Sequence, residues 1–99
     1  MILERALFAV QPGSEPDFEA AMDLAKEVIA QARGFRSFNL RRGIEHPATY
    51  LLLIEWDSVE DHMQGFRESD LFVRWRELIG SYFAAPPEVE HYEAPVVTS

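Results

Sequence analysis

Four segments of the chain show the apolar patterns that are typical of β-strands. They span residues 2–10, 35–42, 49–56 and 88–94. Turn-forming residues separate them, such as Gln11-Pro12-Gly13 after the first segment and His46-Pro47 before the third. The third segment is apolar on both faces of the pleat, so we expect both faces of the sheet to be covered at that strand. The pattern therefore predicts four strands.

The segment between the first two strands predicts an amphipathic helix, because its apolar residues recur at alternating spacings of four and three. Ser14 is the predicted N-cap. Gly34 follows the helix, where a left-handed residue commonly ends one. The apolar stripe between them comprises Phe18, Met22, Ala25, Ile29 and Ala32.

A second helical region follows the third strand, and its pattern is broken in two. The first piece is a short helix that Asp57 or Ser58 caps and that runs through Gly65. The second piece begins at Ser69 or Asp70 and is ended by Pro86-Pro87. Its apolar stripe comprises Phe72, Trp75, Ile79 and Phe83.

The resulting order, β-α-β-β-α-β, predicts an α+β fold of the ferredoxin-like split type, in which a four-stranded antiparallel sheet carries the helices on one face. We expect residues 1–95 to form a single domain and residues 96–99 to form a C-terminal tail. The bare face of the sheet would expose either Leu51 and Leu53 or Leu52 and Ile54. Because such a patch favours association, we predict a homodimer packed sheet to sheet.

Composition narrows the classes of function. The chain has 99 residues, a formal net charge of -8 and no cysteine. The acidic balance argues against nucleic acid as a partner, and the lack of cysteine excludes disulfides and thiolate sites. No apolar run is long enough to span a membrane, and Glu4 and Arg5 stand where a secretory hydrophobic region would lie. We therefore expect a cytoplasmic protein that binds neither membranes nor nucleic acid.

His62 is the first candidate for catalysis. It lies on the predicted short helix, soon after the end of the third strand at Trp56, where loops and helix ends rim the sheet. An imidazole there could take a proton from a carbon or phenol of a ligand, or donate a hydrogen bond to an oxyanion. The alternative is a surface histidine or a hydrogen-bonded structural one. Glu60 and Asp61 lie on other faces of the helix and are poor candidates for orienting the ring.

Half of the twelve aromatic residues lie between positions 56 and 83. Most of them should fill the interface between helices and sheet, Phe72 and Trp75 included. Trp56, Phe66 and Tyr82 are instead candidates for the wall of a pocket that accepts a planar ligand. Tyr82 is also a second candidate for proton transfer.

Other polar residues give weaker signals. Asn39 becomes a ligand-binding candidate if its side chain points inward, and otherwise belongs to a solvated strand face. Arg67 and Arg76 lie near Glu68 and Glu77, and we expect surface ion pairs there rather than an anion site. No metal-site histidine spacing and no glycine-rich phosphate loop occurs, so neither a metal nor another cofactor is expected.

Several stretches are similar to the antibiotic biosynthesis monooxygenase domain family. They are Y-L-L-L-I-E-W-D-S from Tyr50, E-D-H-M-Q-G-F-R-E-S from Glu60, F-V-R-W-R from Phe72 and V-E-H-Y from Val89. Trp56 matches the tryptophan that ends the third strand in this family, and His62 and Phe66 match a histidine and an aromatic residue of one of its branches. Many members instead carry their helical histidine at the position of Gly65.

The resemblance implies a dimeric ferredoxin-like domain and an oxygenase that needs no metal or flavin. The substrate would be a small planar phenolic or anthrone-like compound. His62 or Tyr82 would assist its deprotonation, while Trp56 and Phe66 would hold its rings. Haem degradation, which similar proteins perform with an axial histidine on the second long helix, is not expected, because the stretch L-F-V-R-W-R contains none. A non-enzymatic binding or regulatory dimer and an isomerase on the same scaffold remain open.

Overall fold

The computed structural model describes residues 1–99 and contains four strands and two α-helices. The strands are β1 (Ile2–Ala9), β2 (Phe35–Arg42), β3 (Thr49–Trp56) and β4 (Glu88–Tyr92). The α-helices are α1 (Glu15–Ile29) and α2 (Asp70–Ile79). A π-helical turn (Asp61–Phe66) precedes α2, and a 3-10 turn (Gly80–Tyr82) follows it. This order confirms the predicted β-α-β-β-α-β fold.

The strands form one antiparallel sheet in the order β2-β3-β1-β4. In this register Glu4 of β1 lies opposite Ile54 of β3 on one side and opposite His91 of β4 on the other. Successive residues of a strand alternate between the faces of the sheet, so Glu4 shares its face with Ala6 and Phe8. The sheet therefore brings a carboxyl group of the first strand and an imidazole of the last strand onto the same buried face.

The core lies between this face and the helices. Every second residue of β3 is buried, as the alternation predicts for a strand whose inner face packs against helices. The largest fully buried side chains include Tyr50, Leu52, Ile54 and Trp56 from β3, Phe18, Met22 and Ile29 from α1, and Ile79 from α2. On the opposite face, Leu51 and Leu53 are partly exposed. The bare face predicted for the sheet is therefore the one that carries Leu51 and Leu53.

The short helix predicted after β3 is a π-helical turn rather than an α-helix. Its wider winding is visible in the hydrogen bond from the backbone N–H of Arg67 to the carbonyl of His62, five residues earlier, at 3.0 Å. Ser58, one of the two predicted caps, accepts the backbone N–H of Asp61 at 3.1 Å. Both His62 and Phe66 are buried by the turn. Such turns occur frequently at functional sites, because they alter which side chains face inward.

The ends of the elements follow the predictions in part. Ser14 is the N-cap residue of α1 by position, but its side chain makes no capping hydrogen bond. Gly34 has a φ of +83°, the left-handed conformation predicted for it, and its carbonyl accepts the N–H of Asp57 at 2.8 Å. The last strand ends at Tyr92, and the residues after it are exposed.

Neither α1 nor α2 combines the length and the apolar character that a bilayer crossing requires.

Candidate functional site

A cavity of about 310 Å³ lies between the inner face of the sheet and the helical layer. Aromatic side chains form much of its wall: Phe8, Phe66, Phe72, Trp75 and Phe83. Two polar residues, Glu4 and His62, line the same cavity from buried positions. Its volume is at the lower end of the range of about 300–1,000 Å³ that is usual for small-molecule sites. The cavity therefore suits a compact, largely apolar ligand.

The polar cluster at this cavity consists of Glu4 and His62, which are buried and line it, and the half-buried His91 next to His62. Nε2 of His62 lies 3.3 Å from Oε1 of Glu4. Nδ1 of the same ring lies 2.8 Å from Nε2 of His91, which is hydrogen-bonding distance. Glu4 and His62 are 5% and 3% exposed, respectively, so these groups interact with one another rather than with bulk water. The π-helical turn thus places the imidazole between a carboxyl group from β1 and a second imidazole from β4.

Trp56 fixes the geometry of this cluster from behind. Its indole Nε1–H donates a hydrogen bond to Oε1 of Glu4 at 2.9 Å. Its ring also stacks on the imidazole of His62, with centroids 5.2 Å apart and an angle of 22° between the planes. Phe66 lies beside both rings, with its centroid 6.3 Å from that of His62 and 5.8 Å from that of Trp56. The imidazole therefore packs against two neighbouring aromatic rings, which restrict its orientation.

Burial sets the protonation of the cluster. It raises the pKa of Glu4 from 4.5 to about 7, and the hydrogen bond from Trp56 and the charge of Arg67 only partly oppose this effect. Burial, together with the smaller effects of His91 and Arg67, lowers the pKa of His62 from 6.5 to about 4. The pKa of His91 is also lowered, again mainly by burial. Near neutral pH both imidazoles are uncharged, and Glu4 is the group that titrates.

The cluster can shift protons among its three members. If His62 donates to His91, then Nε2 of His62 directs a lone pair at Glu4, which suits a protonated carboxyl group. If His91 donates instead, Nε2 of His62 directs its hydrogen at Glu4, which suits a carboxylate. With both imidazoles uncharged, the first arrangement holds one proton more than the second. The cluster can therefore accept a proton from a ligand at its cavity end and redistribute it.

Only some of the predicted site residues meet at this cavity. His62 and Phe66 line it, while Trp56 lies behind them and supports His62 and Glu4 without lining it. Tyr82 does not line the cavity, because its ring packs beside Phe18 at a centroid distance of 6.5 Å. The structure therefore does not bring Tyr82 to the candidate base.

Asn39 also lies away from the cavity. Its side chain is exposed on the bare face of the sheet, where it accepts a hydrogen bond from Arg41 at 3.1 Å. The condition on which its binding role depended, an inward side chain, is not met. Phe72 and Trp75, predicted as core, do pack in the core but also form part of the cavity wall, so the division between core and pocket was too sharp.

Glu4 and His91 are the two site residues that the sequence interpretation missed. Glu4 has the same strand parity as Ala6, Phe8 and Val10, which are buried, so alternation alone marks it as an inward carboxyl group. His91 has no comparable signal, because β4 is largely exposed and the position of His91 next to Glu4 depends on the pairing of β1 with β4. As predicted, Glu60 and Asp61 do not orient the ring of His62; partners from β1 and β4 do.

Metal binding has no support in the geometry of this cluster. Glu4 and His91 contact opposite nitrogens of the His62 ring, so the three groups do not converge on one point. No other group of three histidine, aspartate or glutamate side chains is arranged to hold a metal ion.

Comparisons with known proteins place the chain among similar sequences and structures. A family model for antibiotic biosynthesis monooxygenases matches residues 1–78. The uncharacterized protein YczJ of Bacillus subtilis (strain 168) is 34% identical over 93 residues, which cover 94% of this chain and 98% of that protein. The matched family segment includes Glu4, His62 and Phe66 but ends before His91.

Solved structures of similar proteins have the same fold as this chain. A candidate antibiotic biosynthesis monooxygenase from Bordetella bronchiseptica is 43% identical with a TM-score of 0.93, over 96% of this chain and 97% of that chain. SnoaB, a cofactor-independent oxygenase from Streptomyces nogalater, has the same fold, with a TM-score of 0.81 at 16% identity over 97% of this chain and 94% of that chain.

Proposed function

Because the chain belongs to the antibiotic biosynthesis monooxygenase family, we propose that it is a cofactor-independent monooxygenase that oxidises a small planar phenolic or anthrone-like compound with O2. The observation that carries this proposal is the contact of Glu4, His62 and His91, of which Glu4 and His62 are buried in the wall of a largely aromatic cavity. SnoaB, which has the same fold, is itself a cofactor-independent oxygenase. The aromatic wall suits a planar ligand, and the cluster supplies a base.

The base is the pair formed by Glu4 and His62 rather than His62 alone. A buried imidazole with a pKa of about 4 is a weak base near neutral pH. A carboxyl group with a pKa of about 7 is matched to that pH, and it would stabilise the imidazolium if His62 took the proton. Both groups line the cavity, so a substrate proton can reach either one.

The reaction then needs only substrate and O2. The base removes a proton from an activated ring CH2 or phenol and leaves a carbanion that the rings delocalise. One electron passes to O2, and combination of the two radicals with return of a proton gives a hydroperoxide. Loss of water from the hydroperoxide leaves a carbonyl group, so CH2 and O2 become C=O and H2O. The apolar wall keeps other water away from the carbanion.

Oxygen consumption tests this function. A panel of anthrones, naphthols and related phenols is screened in an oxygen electrode, and Glu4→Gln and His62→Gln are compared with the wild type on the best substrate. We expect each variant to lower kcat by about a hundredfold, as loss of a general base commonly does. Glu45→Gln serves as the control, because Glu45 is exposed and forms no ion pair. Full turnover by His62→Gln would remove the histidine from the scheme.

The same screen separates the alternatives. Conversion of a substrate without oxygen uptake would indicate an isomerase on this scaffold. Saturable binding of aromatic compounds without conversion of any of them would indicate a binding or regulatory protein.

We also propose that the protein acts as a homodimer packed through the bare face of its sheet. Leu7 of β1 and Leu51 and Leu53 of β3 form an apolar patch on that face, and Arg5, which lies opposite Leu53, separates this patch from Leu3. All four leucines are partly exposed in the single chain. A second copy would bury this patch on both molecules at once. The cavity lies on the opposite face, so both sites of the dimer would remain open.

A further inference from the structure

Two arginine side chains stand at the opening of the cavity. Arg67 and Arg76 are the exposed charged residues of its lining, whereas Glu4 and His62 line it from buried positions. Both guanidinium groups lie over the ring of Phe72, at 5.2 Å and 5.9 Å from its centroid. These cation–π contacts hold both positive charges beside the ring of Phe72, which itself lines the cavity.

Neither guanidinium has a carboxylate partner. The surface ion pairs predicted with Glu68 and Glu77 do not form, and the Lys and Arg residues that do form ion pairs are Arg5, Lys26, Arg36 and Arg42. The chain has 17 acidic residues against nine basic ones, so partners are plentiful. Arg33, Arg41 and Arg74 also lack carboxylate partners, but none of them lines the cavity. Arg67 and Arg76 are thus the unpaired arginines that a ligand in the cavity can reach.

The inner end of the cavity has the opposite character. Glu4 is buried there, and an anionic group beside it would raise the cost of ionising a carboxyl group that burial already disfavours. The middle of the cavity is apolar and aromatic. A ligand that satisfies all three regions has a neutral reacting group at the inner end, a flat apolar body, and an anion at the opening.

We infer that the ligand of this cavity is an aromatic carboxylate whose carboxylate group is bound by Arg67 and Arg76 while its ring system lies against Phe66 and Trp75. This inference deepens the proposed function by naming the substrate class, and it rests on that function only for the reaction that follows binding. The planar fork of a guanidinium suits a carboxylate, to which it can donate two parallel hydrogen bonds. From the opening, the positive charge of Arg67 also acts to lower the pKa of Glu4, His62 and His91.

Binding of a charged and an uncharged probe of the same shape tests this inference. Naphthoate and naphthamide are titrated under nitrogen at low ionic strength, and the fluorescence of Trp75 in the cavity wall reports binding. We expect naphthoate to bind at least about tenfold more tightly than naphthamide, since a charge-assisted hydrogen bond contributes that much or more. High salt should reduce the difference, because the arginines are exposed.

Variants assign the effect to the two arginines. We expect Arg67→Gln and Arg76→Gln each to reduce the preference for naphthoate by about threefold or more, and the double variant to abolish it. Arg74→Gln is the matched control, because Arg74 is exposed on the same helix as Arg76 but lies outside the cavity lining. Arg76→Lys keeps the charge without the planar fork and should retain part of the preference. Melting temperatures of all variants verify that they fold.

The outcomes distinguish this inference from the proposed function. Equal affinity for the two probes, or the same loss in Arg74→Gln as in Arg76→Gln, would overturn the carboxylate site whether or not the protein consumes oxygen. A preference for naphthoate that depends on Arg67 and Arg76 supports the site, even in a protein that oxidises no compound of the panel.

Discussion

Replacing Glu4 by glutamine should stabilise the folded protein at neutral pH, although Glu4 is the acceptor of a buried hydrogen bond. The pKa of Glu4 is raised from 4.5 to about 7, so the folded protein holds this proton more tightly than the unfolded chain. Stability is therefore lost as the pH rises from about 4.5 to about 7. At 1.36 kcal/mol per pKa unit, the loss amounts to roughly 3 kcal/mol.

Glutamine removes this loss and keeps the contacts of the carboxyl group. Trp56 and His62 both contact Oε1 of Glu4, and an amide oxygen in that place can accept the indole N–H of Trp56 and the Nε2–H of His62. We therefore expect the difference in unfolding free energy between Glu4→Gln and the wild type to be small at pH 4.5. It should grow in favour of the variant to about 2–3 kcal/mol at pH 7.5.

Urea unfolding monitored by tryptophan fluorescence measures this difference at several pH values and one fixed protein concentration. The pH dependence of the wild type alone would hide the contribution of Glu4. The pKa of His62 is lowered to about 4, so His62 makes the folded protein less stable as the pH drops below 6.5. Between pH 4.5 and 6.5 the contributions of Glu4 and His62 to the unfolding free energy change with pH in opposite directions and nearly cancel. Glu45→Gln, an exposed control, should give a difference that does not change with pH. The reasoning is refuted if Glu4→Gln is less stable than the wild type at pH 7.5, or if the difference is constant across the range.

Three further predictions concern packing and assembly. Phe66→Ala should destabilise the fold by about 3 kcal/mol in urea unfolding. This is at the low end for a buried phenylalanine, because one side of the ring already borders the cavity. A loss below about 1 kcal/mol would show that Phe66 is not packed as described. Gly34→Ala should cost about 1–2 kcal/mol and lower the melting temperature, because φ at this position is +83°; an unchanged melting temperature would contradict that backbone conformation. Leu51→Glu on the bare face should shift the mass measured by sedimentation toward that of the 11.4 kDa monomer. The control Leu24→Glu, on the exposed side of α1, should leave the mass unchanged. A wild type that already sediments as a monomer would refute the dimer.

The fold was largely predictable because its signal is local. The bounds of β2 and β3 agree with the predicted segments at both ends, since each strand lies between clear turn residues. The π-helical turn was not predictable, because its winding depends on where His62 and Phe66 are drawn by the core. Over so few residues, the apolar spacing does not distinguish it from a short α-helix.

The site was only half predictable for a different reason. His62 and Phe66 follow an obvious strand and lie close together in the chain, so one stretch of sequence reveals both. Glu4 and His91 stand at opposite ends of the chain and become neighbours only through strand pairing. Such a contact depends on which strands pair, and strand pairing cannot be read directly from a single sequence.

The π-helical turn also makes the site sensitive to chain length rather than to side-chain identity. Met63 and Gln64 point outward and should accept most substitutions, because they are exposed. Deleting either one would restore α-helical winding with little change in the angle between His62 and Phe66, because a π-helical turn holds about one residue more than an α-helical turn. Inserting a residue there would instead rotate Phe66 by about 100° relative to His62, the angle that one residue occupies in an α-helix. The histidine would lose one of its two aromatic neighbours without any change to the site residues themselves. An insertion in this turn would thus alter the chemistry of the cavity while leaving the sheet intact.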